Sequence, residues 1–109
     1  MIYENYSFST KSEVEKLLSH HDNDDIKKAI IGAINGIKDW EWLQNLCLNY
    51  IHNPDFWVAK TAITGISDIA RIHRRLNIEK VRNSFNQVSN ERLQPIIKST
   101  LDDIKIFIG

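Results

Sequence analysis

Apolar residues recur at helical spacing along most of the chain and give way to short polar runs, a pattern that predicts six helices and no strand. Thr10-Lys11-Ser12-Glu13 has the spacing of a capping box, in which a hydroxyl and a carboxylate satisfy the free amides of a helix start. Val14, Leu17 and Leu18 then form a short stripe. The run His20-His21-Asp22-Asn23-Asp24-Asp25 stops that helix and caps a second, where carboxylates meet the positive end of the helix dipole. The second stripe is Ile26, Ala29, Ile30, Ala33, Ile34 and Ile37, and Lys38-Asp39 turns the chain. A third helix begins near Asp39 and carries Leu43, Leu46, Cys47, Tyr50 and Ile51 inward. Asn53-Pro54 ends it, because a residue before proline avoids the helical region while proline itself suits a helix start. Asp55 then falls in the first turn of a long fourth helix with the stripe Ala59, Ala62, Ile63, Ile66, Ile69, Ala70 and His73. After a turn at Leu76-Asn77, a fifth helix shows Ile78, Val81, Phe85 and Val88. Ser89-Asn90 breaks it. The last helix carries Leu93, Ile96, Ile97, Leu101, Ile104 and Phe107, with Pro95 in its first turn or at a kink.

One stretch is written twice. Shifted by 33 residues, Asp22 falls on Asp55, Lys27 on Lys60, Ala29 on Ala62, Ile30 on Ile63 and Gly32 on Gly65. A period in this range is the mark of a helical repeat array, whose units bury their apolar faces only by stacking. Short connections make successive helices antiparallel neighbours. Helices two and three then form one hairpin and four and five another, with helix six opening a third. The expected fold is all-α, a short right-handed α-solenoid of antiparallel helix pairs. It forms a single domain over 1–109 with an N-terminal arm at 1–10.

Composition narrows the setting. A chain of 109 residues supports one modest core, and no apolar run approaches the roughly 20 residues of a membrane-spanning helix. The start Met1-Ile2-Tyr3-Glu4-Asn5-Tyr6 lacks the pattern of a secretory signal, and a single cysteine makes no internal disulfide. Both point to a cytoplasmic setting. Net charge is zero but polarised. Residues 1–25 hold six carboxylates against two lysines, a local charge of −4, and residues 71–82 hold five cations against one glutamate, +4.

Few residues invite chemistry. Cys47 has no base in reach, since His52 projects from another part of the helix, and a buried core thiol is expected. His20, His21 and Asp22 splay apart and no second ligand cluster accompanies them, so no metal and no cofactor is expected. His73 continues an apolar stripe as a satisfied structural histidine. Asp102 and Asp103 diverge by about 100° on their helix, which suits pairing with Arg71 or Lys98 better than joint acid–base work. No glycine-rich phosphate loop exists. The expectation is a protein that is not an enzyme.

Two groups remain as candidate contacts for a protein partner. Trp40, Trp42 and Trp57 stand at two adjacent helix starts and hence at one end of the hairpins, with Trp57 the one expected to pack inward beside Val58. Tryptophan is an enriched interface anchor. Asp22, Asp24, Asp25, Asp39, Glu41 and Asp55 form an acidic edge, of which capping explains about half. The basic turn of Arg71, Arg74, Arg75, Lys80 and Arg82 suggests an alternative, a grip on nucleic-acid backbone, although zero net charge favours a solvated turn paired to the acidic pole.

The turn Asn53-Pro54-Asp55 followed by Val58-Ala59-Lys60-Thr61-Ala62-Ile63-Thr64-Gly65-Ile66 resembles the first helix of a HEAT-like repeat. Residues 55–73, with Thr100-Leu101-Asp102-Asp103-Ile104-Lys105-Ile106-Phe107, are similar to small bacterial HEAT-like proteins encoded beside polymorphic toxins. That group includes immunity proteins of contact-dependent growth inhibition systems. The resemblance spans about residues 22–108 and implies an antidote that binds one toxin domain, often a nuclease, and blocks its active site. In that setting the acidic edge would fill a basic substrate groove as a phosphate mimic. The chain departs from a regular array in having Lys60 for the usual arginine and His21 where Pro54 aligns.

Overall fold

The computed structural model describes residues 6–108, so the first half of the expected arm, residues 1–5 with Glu4 of the acidic pole, lies outside it, as does Gly109. Among the described residues there are six α-helices and no strand: α1 (Lys11–Leu18), α2 (Asn23–Gly36), α3 (Trp40–Tyr50), α4 (Phe56–His73), α5 (Ile78–Asn86) and α6 (Gln94–Ile108). A 3-10 turn, Glu91–Leu93, leads into α6 and leaves Pro95 in its first turn, where a missing amide costs nothing.

The caps follow the sequence closely. Thr10 and Glu13 close a reciprocal capping box. Asp22, Asp39, Asp55 and Asn77 each accept the backbone amide three residues on, satisfying one of the donors a helix start leaves free. Asp55 is thus the cap before α4 and not a residue of its first turn.

Helix α4 is the centre of the molecule. Val58, Ala59, Ala62, Ile63, Ile66, Ile69 and Ala70 have no exposed surface, and α4 packs against α2, α3 and α6. Its alanines bring the neighbours close, while each fully buried isoleucine contributes about 1.5–3 kcal/mol. Gly65 completes this face: a β-carbon there would lie 2.8 Å from Cys47 Sγ and 2.9 Å from Ile34 Cδ1. The equivalent glycine in the first copy serves a different neighbour. Gly32 seats the Phe8 ring, and its carbonyl accepts the Phe8 amide at 3.0 Å. Asn35 holds the arm from the next turn by donating to the Tyr6 carbonyl at 2.7 Å.

Helix pairing is shifted by one element from the expected hairpins. Among helices adjacent in sequence the extensive pairs are α1 with α2 and α3 with α4, whereas α2 touches α3 far less and α4 has little to do with α5. Apolar content explains the shift. Helix α1 offers Val14, with Leu17 and Leu18 at the edge of the core, and α3 offers Leu43, Leu46 and Cys47. Helix α5 buries only Val81 and Phe85. Polar ties secure α5 to α3 instead: the buried Gln44 side chain accepts the Asn77 amide at 2.7 Å, and Lys80 donates to Asn45 at 2.8 Å.

Two backbone positions are left-handed without being glycine, His21 and Arg74, both with φ 56°. Proline's ring fixes φ near −65°. His21 therefore cannot be the proline that its aligned partner Pro54 is.

Candidate functional site

Helices α2 and α4 run in the same sense. Arg75, just past the end of α4, lies over the Trp40 ring at 5.5 Å, and Trp40 opens α3 only a few residues after α2 ends. The ends of α2 and α4 therefore share one side of the molecule and their starts share the other. This sorts the candidate residues into two groups. Asp22, Asp24, Asp25, Asp55 and Trp57 stand at the helix-start side, and Asp39, Trp40, Glu41 and Trp42 at the opposite side. The expectation that all three tryptophans share one end is thus corrected. An intervening helix of 11 residues separates them by about 16 Å, since each residue advances about 1.5 Å.

At the far side, positive groups offset the carboxylates. Lys11 bonds Asp39 at 2.8 Å and lies 5.6 Å from the Trp42 ring centre. That lysine, together with the Trp42 amide, holds the Asp39 carboxyl below its ordinary value. Trp40 and Trp42 are half-buried against the core and project about 200° apart on α3, one toward Arg75 and the other toward Lys11. Glu41 is exposed.

At the helix-start side, Trp57 reverses its expected role. It is 56% exposed and the most open aromatic side chain among the described residues, because Val58 and Ala59 take the inward positions of that turn. The Phe56 ring meets it edge-on at 5.1 Å, and Lys60 Nζ lies 5.2 Å from its centre. Arg92 covers Phe56 from the other side at 4.0 Å. Asp24 pairs with Lys27 at 3.1 Å and Asp25 with His20 at 2.9 Å, while Asp22 and Asp55 are engaged as caps. Such exposed pairs are worth at most about 1 kcal/mol, so a partner can displace them.

Beside Trp57 a groove of about 460 Å³ runs between α2 and α4. Ile31, the largely buried Ile34 and the polar Asn35 supply its α2 wall, and Trp57, Lys60, Thr64 and Arg71 mark its course along α4. Asp68 lies in the same groove and is held by Arg71 at 3.4 Å. Burial, the largest influence, pushes its carboxyl above the ordinary value, Arg71 opposes this, and Asp103 adds repulsion from α6. The apolar stripe of α4 concealed this site. Its signal in the sequence was the complementary row 57, 60, 64, 68 and 71, whose spacing keeps one face of a helix polar and small.

The remaining candidates resolve into structure. Cys47 is fully buried, and its thiol is pushed far up by loss of solvent. Arg71 is held by Asp68, three residues back on its own helix, so neither Asp102 nor Asp103 takes it as expected. Among the described residues the basic turn does not pair with the acidic pole either: Arg74 lies over Phe107 at 5.6 Å, Arg75 over Trp40, and Lys80 is bound to Asn45. His73 differs from expectation, because its buried Nε2 has no hydrogen-bond partner. The stripe it continues, Ile66, Ile69 and Ala70, offers no side-chain acceptor. Among the described residues no helix is long and apolar enough to cross a membrane. No protein-family model, curated protein or solved structure matches the chain.

Proposed function

We propose that this chain is an immunity protein, a short HEAT-like helical stack that binds a cognate toxin domain, a nuclease in our reading, and covers its active site without chemistry of its own. The observation that carries the proposal is Trp57: a large aromatic side chain, 56% exposed, held at the helix-start side of α4 on the same side as the carboxylates that open α2. Leaving an indole in water forgoes its burial, and a tryptophan of this kind is the commonest sort of interface anchor. Stacking as a repeat array is supported by α2 and α6 flanking α4, and by two ties that span the repeat length, Gln44 to Asn77 and Arg74 to Phe107, each 33 residues apart.

The acidic contact narrows to Asp24 and Asp25. Asp22 and Asp55 are engaged in capping, and Asp39 and Glu41 stand at the opposite side, Asp39 paired with Lys11. A nuclease carries a basic substrate groove, and two carboxylates in surface pairs on the same side of the molecule as an aromatic anchor complement it. The nucleic-acid alternative draws less support, since Arg74 and Arg75 already lie on aromatic rings.

Asp24→Lys with Asp25→Lys tests the docking edge. Association with the proposed toxin partner is expected to slow by about tenfold or more at low salt, with the melting temperature nearly unchanged. An unchanged association rate and affinity would remove the acidic edge from the interface.

A further inference from the structure

We propose that the groove between α2 and α4 receives an amphipathic helix of the partner, its apolar ridge on Ile31 and Ile34 and a carboxylate on Lys60. The proposal rests on the preceding section only in requiring a protein partner; it is independent of that partner's activity.

Length comes first. From Trp57 to Arg71 the groove follows α4 for fourteen residues, about 21 Å at the helical rise. That is long enough for roughly four turns of a second helix, whose anchors would recur every three or four residues. Shape agrees. Thr61 and Thr64 keep the α4 wall low between the two larger side chains at its ends, so a ridge can settle between the rows of α2 and α4. A strand is a poor occupant, because both walls are helices whose backbone groups are already bonded and offer no sheet edge.

Charge then fixes the chemistry. Asp68 is engaged by Arg71, which leaves that end of the groove neutral. Lys60 has no carboxylate partner among the described residues, and its ammonium rests beside the Trp57 ring. An incoming Asp or Glu gains a charge-assisted bond at Lys60, whereas an incoming Lys or Arg meets repulsion there. The occupant is therefore an acidic and apolar helix, opposite in charge to the basic surface expected to meet Asp24 and Asp25. One partner presenting both would be gripped at two adjoining places.

The test needs no toxin. A random 16-residue peptide library is displayed and selected on the full chain, and the enriched peptides are measured against variants. The expected sequences have apolar residues at helical spacing with Asp or Glu among them, and they bind Lys60→Glu and the groove-filling Thr64→Trp at least tenfold more weakly than they bind the parent. Lys60→Glu keeps the test valid should Thr64→Trp fold poorly, since that side chain lies at the surface. Basic or unpatterned peptides, no enrichment, or equal binding to Lys60→Glu would overturn the proposal. Failure of toxin neutralisation leaves this selection untouched, and the reverse also holds.

Discussion

His21 shows how much a single residue can decide about an aligned repeat. It sits at φ 56°, where a side chain with a β-carbon is strained and glycine is not. His21→Gly is expected to raise stability by about 0.5–1 kcal/mol in chemical denaturation. No gain would mean that the histidine ring supplies a compensating contact. The sequence marked this position, because His21 aligns with Pro54, but alignment alone does not tell a substitution from a change of backbone. Trp57 was harder still. Its neighbour Val58 made an inward position plausible, yet a helix turns about 100° per residue, and the step between them is the step from core to solvent. His73, by contrast, was placed correctly on its stripe, and only its missing partner was invisible from sequence.

Element boundaries were legible because caps are local chemistry: Thr10, Asp22, Asp39, Asp55 and Asn77 are all read within four residues of themselves. Pairing was not, because it depends on which of two neighbours offers more apolar surface. Helix α4 joins α3 through Gly65 and Cys47, and this contact is the sharpest place to test the packing. Gly65→Ala puts a methyl group 2.8 Å from Cys47 Sγ, and a cost of about 1–3 kcal/mol is expected from overpacking. The other close atom, Ile34 Cδ1, is the end of a flexible side chain and can move aside. In a Cys47→Ala background the cost of Gly65→Ala should therefore shrink by about 1 kcal/mol, a coupling read from a double-mutant cycle. Strict additivity of the two changes would place the constraint elsewhere. The groove between α2 and α4 belongs to this scale as well. Its residues were in view individually, Lys60 and Arg71 among them, but only the docking of two parallel-running helices puts them along one channel.

For the whole molecule, net charge of zero concealed two differently arranged sides. At the end shared by α2 and α4, lysine and arginine lie against Asp39, Trp40 and Trp42, and Glu41 is exposed. At the start of α4 an aromatic ring stands open, with two carboxylates in weak surface pairs opening α2 on the same side. The asymmetry supports the proposal that one side of this all-helical protein meets a partner. Such a division could not be read from charge along the chain, because the acidic residues fall at successive helix starts that alternate from side to side. The most direct measurement titrates the purified chain against the cognate toxin domain while following that domain's nuclease activity. Activity is expected to fall to zero at one equivalent, and Trp57→Ala to weaken inhibition by about 30-fold, the effect of an anchor worth about 2 kcal/mol. Full toxin activity with the chain in excess, or inhibition by Trp57→Ala equal to that of the parent, would contradict the proposal.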